Sequence, residues 1–172
     1  MTKKLRAIAY WLLPETAAGG VFAKKIRELA GRFKTPVFAP HVSVFVGPEN
    51  SRHPAEILRE LGSVTIELTI HSIRFSDQFT KTLFIQFERS VPLQELGDRI
   101  WKGSGGPERY IIDPHMSLLY ASLTAEKKKA LVDEITFSFR EISFSSICAM
   151  RCASPTMTAK EVEQWKLIAR LK

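Results

Sequence analysis

The spacing of apolar and polar residues changes period several times along the chain. Leu5 to Leu13 is a dense aliphatic and aromatic run stopped by Pro14, which predicts a strand. Thr16 then precedes a helical stretch. Val21, Phe22, Ile26, Leu29, Ala30 and Phe33 recur there at steps of three and four, with Lys24, Lys25, Arg27 and Glu28 between them. Thr35-Pro36 breaks that helix, and Val37 to Val46 reads as a strand entered through Pro40. Pro54 to Leu61 predicts a short second helix ended by Gly62. From Val64 to Phe75 one face carries Val64, Ile66, Leu68 and Ile70, the other Thr65, Glu67, Thr69 and His71.

Ser76-Asp77-Gln78 predicts a hairpin turn before a strand from Thr80 to Phe87. Pro92 opens a third helix with Leu93, Leu96, Ile100 and Trp101 on its apolar side. The loop GSGGPER, residues 103 to 109, reads as a mobile connection into a strand from Tyr110 to Ala121. Thr124 caps a fourth helix, TAEKKKALVDE, and Ile142 to Cys152 and Val162 to Leu171 supply the last strands. The order strand, helix, strand beginning Pro-His, helix, strand therefore occurs twice. It predicts an α+β chain of two similar lobes, antiparallel sheets with helices outside, facing across a central cleft. Residues 1–172 are expected to form one domain made of the two interleaved lobes.

Composition narrows this little. With 172 residues, 45% hydrophobic and 25% charged, the chain is globular rather than disordered. A net charge of +7 favours anionic partners such as phosphates or RNA, and ordinary surface solvation explains it equally well. Cys148 and Cys152 share a face of the last long strand, roughly 13 Å apart. That is beyond direct bridging, so they read as two reduced thiols. KKLRAIAYWLLPETAAGG imitates a signal peptide, but its apolar centre is short and Pro14-Glu15 ends it, so a first strand is the reading. No run approaches the roughly 20 apolar residues of a membrane span, and a cytoplasmic protein is expected.

The chemistry lies in two matched stretches, PHVSVFVG (40–47) and PHMSLLYA (114–121). Serine and threonine fill 25 of 172 positions and proline nine, so two histidines framed identically are a rare accident. On a strand, His41 and Ser43 point the same way, as do His115 and Ser117. Each pair offers an imidazole beside a hydroxyl on a rigid element. His53 reads as an exposed helix start, and His71 has no assigned role. Zinc would want a third ligand, and Asp113, two residues before His115, is the only nearby candidate. GSGG lacks the Gly-Lys-Ser/Thr ending of a phosphate loop, and no G-x-S-x-G marks a serine hydrolase.

On these motifs the chain resembles the two-histidine phosphoesterase superfamily, whose signature is a pair of H-x-S/T-x motifs. AYWLLPE (9–15), PHVSVFVG and especially PHMSLLYASLTAEKKKAL (114–131) are similar to its cyclic phosphodiesterase branch, known from plants and yeast. The resemblance implies a bilobal, pseudo-twofold α+β fold and metal-independent hydrolysis of cyclic phosphates, with no cofactor. Implied substrates are ADP-ribose 1″,2″-cyclic phosphate and nucleoside 2′,3′-cyclic phosphates, opened to the 1″- or 2′-phosphate. His41 and His115 become the catalytic pair, with His115 acting on water and His41 protonating the leaving oxygen. Ser43 and Ser117 become phosphate-binding hydroxyls, Tyr120 a further phosphate contact, and Trp11 a wall of the cleft. Trp11 and Phe79 are the rings to test for stacking on a base, with core packing the equal reading. Disulfides of the plant branch have no counterpart here. The expected partner is a small cyclic-phosphate nucleotide, with RNA ends as a further class, no membrane, and a monomeric state. The rival readings are a 2′-5′ RNA ligase-like or RNA-end-processing enzyme and a non-catalytic nucleotide- or RNA-binding module.

Overall fold

A computed structural model describes residues 5–49 and 52–171. The basic Lys3-Lys4 of the signal-like segment lies outside them. The first half runs β1 (Leu5–Pro14), α1 (Thr16–Phe33), β2 (Val42–Pro48), α2 (Pro54–Leu61) and β3 (Ile66–Phe75). One turn of 3₁₀ helix, Phe79–Lys81, leads into β4 (Leu83–Phe87), α3 (Val91–Ser104), β5 (His115–Leu119), α4 (Ala125–Glu134) and β6 (Glu141–Ser154). α5 (Ala159–Glu163) and β7 (Lys166–Leu171) follow, with no counterpart in the first half. No helix among the described residues is long and apolar enough to cross a membrane.

All strand pairs are antiparallel, and six strands close a ring: β1 to β2, β5, β4, β3, β6 and back to β1. β7 extends β6 on its outer edge. Exchanging β1, β2 and β3 for β4, β5 and β6 maps this ring onto itself. The third strand of each half joins the other half's first strand, so the two interleaved halves share one antiparallel sheet. The helices cross over in the same way: α1 packs against β5 and α3 against β2.

Local chemistry explains the elements. α1 turns Ala18, Phe22, Ile26, Leu29 and Ala30 inward, and each large side chain so buried contributes roughly 1.5–3 kcal/mol. Ser90 and Thr124 accept hydrogen bonds from the Leu93 and Lys127 amides and so cap α3 and α4. β2 starts at Val42 rather than Val37, and β5 at His115 rather than Tyr110. Pro40 and Pro114 have no N–H to give a ladder, so each motif's proline ends the preceding loop instead of lying inside the strand. Val162, expected in the last strand, sits in α5, where Thr158 and Glu161 form a reciprocal capping box.

Candidate active site

The two Pro-His motifs meet where β2 touches β5. Val42 pairs with Met116, and both are fully buried. Their strand neighbours therefore point to the opposite face. Continuing the register by one residue sets His41 across from Ser117 and Ser43 across from His115. The histidines take one diagonal of this square, a separation of roughly 7–8 Å for such strand neighbours.

The flanking strands slip register once, at equivalent places. Tyr10 pairs with Phe45 but Trp11 with Ser43, which bulges Val44; Leu83 pairs with Leu119 but Phe84 with Ser117, which bulges Leu118. Bulges re-aim side chains, and here each half carries an aromatic ring against its histidine. Trp11 stacks on His41 with ring centroids 3.7 Å apart and planes at 13°. Phe84 meets His115 edge-on, at 5.7 Å and 73°.

A cleft of about 160 Å³ opens over this square, lined by His41, Ser43, His115, Tyr120 and Trp11. Ser117, the sixth residue singled out from sequence, stands behind it at 6% exposure. Its hydroxyl donates to the Thr80 carbonyl at 2.7 Å. Ser43 has no hydrogen-bond partner among the described residues and is the hydroxyl free to face a ligand. Phe79 lies against Tyr120 at 6.0 Å as core packing and does not line the cleft. Trp11 is buried, with His41 on its face and Trp165 at its edge 4.9 Å away, so it offers no open platform for a base.

Among the cleft residues that escaped the sequence reading are Thr80, Thr156 and Trp165. The Trp165 indole N–H donates to Thr156 Oγ1 at 3.3 Å, and Thr156 donates to the Ala153 carbonyl at 2.8 Å. These residues belong to the turn before β4 and the segments around α5, which no motif marks.

Both imidazoles are held in one tautomer. Nδ1 of His41 lies 2.7 Å from the Ala39 carbonyl, and Nδ1 of His115 lies 2.8 Å from the Asp113 carbonyl. A carbonyl only accepts, so each Nδ1 carries its proton and each neutral ring keeps a free lone pair on Nε2. Their solvation differs. Burial pulls His41 down to about 4, against the Ala39 hydrogen bond, and the charge of His115 lowers it further. His115 is also lowered by burial and by Lys81, but its bond to the Asp113 carbonyl and the Asp113 carboxylate oppose the fall. Its side chain is 23% exposed and stands 3.9 Å from that carboxylate.

Asp113 is engaged by Lys81 and by Gln86 Nε2 at 2.9 Å. Among the described residues, no three His, Cys, Asp or Glu side chains gather as metal ligands. Cys148 and Cys152 are free; burial pushes both thiols up to about 11, which keeps them protonated although Cys152 lines the cleft. His53 caps α2, its Nδ1 accepting from the Ala55 amide at 3.3 Å, and His71 is exposed on β3.

No protein-family model matches the chain. It is 26% identical over 165 residues to a protein named cyclic phosphodiesterase from Arabidopsis thaliana, spanning 92% of this chain and 91% of that one. A solved structure described as a phosphoesterase superposes with a TM-score of 0.59 at 13% identity, over 96% of this chain and 97% of the other. LigT from E. coli, solved with 3′-AMP, gives a TM-score of 0.57 at 11% identity over 98% of both chains. The same protein with ATP gives 0.55 at 12% identity, again over 98% of both. At these identities the solved structures share the fold.

Proposed function

We propose that this chain is a two-histidine phosphoesterase that opens cyclic phosphodiesters by paired-histidine acid–base catalysis without a metal ion. The observation that carries the reading is the crossed square. Two imidazoles, each with a free Nε2, approach one small cleft from strands 74 residues apart (41 to 115). The substrates that fit are nucleoside 2′,3′-cyclic phosphates and ADP-ribose 1″,2″-cyclic phosphate, opened to the 2′- or 1″-phosphate.

The reaction adds one water across one P–O bond. One histidine takes a proton from water as its oxygen attacks phosphorus. The other donates a proton to the ribose oxygen as the ring bond breaks. Exchange with solvent then restores both protonation states. Ser43 donates to a non-bridging phosphate oxygen, where negative charge gathers. Burial favours the two roles in the order opposite to the one the resemblance implies. His41, pulled down to about 4, stays neutral and suits the base. His115, more exposed and beside a carboxylate, carries a proton more readily and suits the acid.

The test offers 2′,3′-cyclic AMP and ADP-ribose cyclic phosphate to the protein in the presence of a chelator, with products identified by phosphorus NMR. Turnover is expected for wild type, with a loss on the order of 10²- to 10⁴-fold in His41→Ala and in His115→Ala. Turnover persisting in both folded variants, or abolished by the chelator, refutes the proposal. Activity on cyclic-phosphate oligonucleotides alone makes the RNA-end reading the better one.

A further inference from the structure

The cleft over the histidines is smaller than the roughly 300–1,000 Å³ of sites that enclose a whole small ligand. It takes the cyclic phosphate and leaves the rest of a substrate outside. A second groove, of about 590 Å³, opens from it across Val46 and Ser154, which line both. Its walls include Leu5, Pro48, Pro107 and Tyr110 with the buried Phe45, and the charged Arg6, Glu49 and Glu108 also border it.

This groove is built, not incidental. The Phe45 ring lies where a side chain on either of two glycines would collide with it. A Cβ on Gly47 would stand 2.7 Å from the ring, and one on Gly106 2.8 Å. The GSGGPER loop, read from sequence as a mobile connection, is tied to α3 along its length. Trp101 Nε1 donates to the Gly106 carbonyl at 2.9 Å, and Arg109 grips Asp98 through two hydrogen bonds of 2.9 and 2.8 Å. Gln94 donates to the Tyr110 carbonyl and accepts from the Ile112 amide, both at 2.9 Å. The wall that presents Tyr110 is therefore held in place before any ligand arrives. Phe45 is buried, whereas Tyr110 is 42% exposed and has ring surface to offer.

We propose that this groove is the subsite for the heterocyclic base of the substrate, with Tyr110 as its stacking wall; the proposal rests on the cyclic-phosphodiesterase reading. A planar, uncharged ring suits apolar walls. The other depression bordering the cleft shares Leu5 and Arg6 with this groove but adds Arg151, Glu161, Gln164 and Lys166, and so is the more polar of the two. Tyr110 is then a specificity residue: it acts on the part of the substrate that distinguishes a nucleoside from a bare sugar.

The experiment compares adenosine 2′,3′-cyclic phosphate with 1-O-methylribose 2,3-cyclic phosphate, which keeps the reacting ring and lacks the base. Wild type is expected to show a KM about tenfold lower for the nucleoside. Tyr110→Ala should raise that KM to the level of the baseless substrate, leaving kcat and the baseless kinetics unchanged, and Tyr110→Phe should restore it. Equal KM values in wild type, or a nucleoside KM untouched by Tyr110→Ala, overturn the subsite while the phosphoesterase reading stands. Should neither substrate turn over, that reading falls. Calorimetric titration with adenosine 2′-phosphate and ribose phosphate then decides the subsite, with equal or absent binding refuting it.

Discussion

PHVS and PHMS are nearly the same four residues on equivalent strands, yet they sit in different electrical surroundings. Around the first, Trp11 covers the His41 ring face and Trp165 stands edge-on at 6.2 Å. The Ser43 hydroxyl is left free. Around the second, Phe84 touches His115 only by its edge, Asp113 and Lys81 stand close by, and the Ser117 hydroxyl is spent on Thr80. The asymmetry comes from parts of the chain outside the duplication. α5 and β7 bring Trp165 to the His41 side, and the Phe79–Lys81 turn brings Thr80 and Lys81 to the His115 side. A symmetric frame with unequal surroundings is what a reaction needing one base and one acid requires.

The largest effect expected from this difference is a rescue. A cyclic phosphate with sulphur in place of the leaving oxygen expels a group that needs no proton. His115→Ala should recover on it most of a loss on the order of 10²-fold or more, and His41→Ala should not. Rescue of His41→Ala instead would reverse the assignment of the two rings, and steady-state rates on both substrates read it directly.

A smaller contrast separates the serines. Ser43→Ala removes a donor free to meet the phosphate and should lower kcat/KM by about 10²-fold. Ser117→Ala removes a structural bond to Thr80. It should cost about 1 kcal/mol in urea denaturation with a lesser effect on rate. Equal kinetic losses would mean that Ser117 turns to the substrate during turnover.

The mildest test is pH. A diester substrate keeps its charge across the range, so the limbs of kcat/KM belong to the protein. The rate should rise through about 4 as His41 loses its proton, and fall below the ordinary 6.5 of histidine as His115 loses its own. The optimum therefore lies on the acid side of neutrality. A maximum above pH 7 contradicts these environments, and His115→Ala on the sulphur substrate should lose the alkaline limb alone.

Much of this molecule was legible before any coordinates. Helix α2 begins and ends where Pro54 and Gly62 predict, because capping and φ restrictions act between neighbouring residues. The Pro-His-x-Ser pair stood out because strand alternation puts each histidine and its serine on one face. Less accessible were strand ends at prolines, the role of Trp165, and the anchoring of GSGGPER, which depends on Gln94, Asp98 and Trp101.

Sequence alone determined the order of elements, their duplication, and the four side chains of the central square. These follow from periodicity and local backbone chemistry, which reach only a few residues along the chain. Tertiary structure decided which imidazole is desolvated, which hydroxyl stays free, and that an apolar groove adjoins the cleft. Solvation and hydrogen-bond partners are set by atoms that arrive from distant segments, as Trp165 and Thr80 do, and no local pattern records who those neighbours will be.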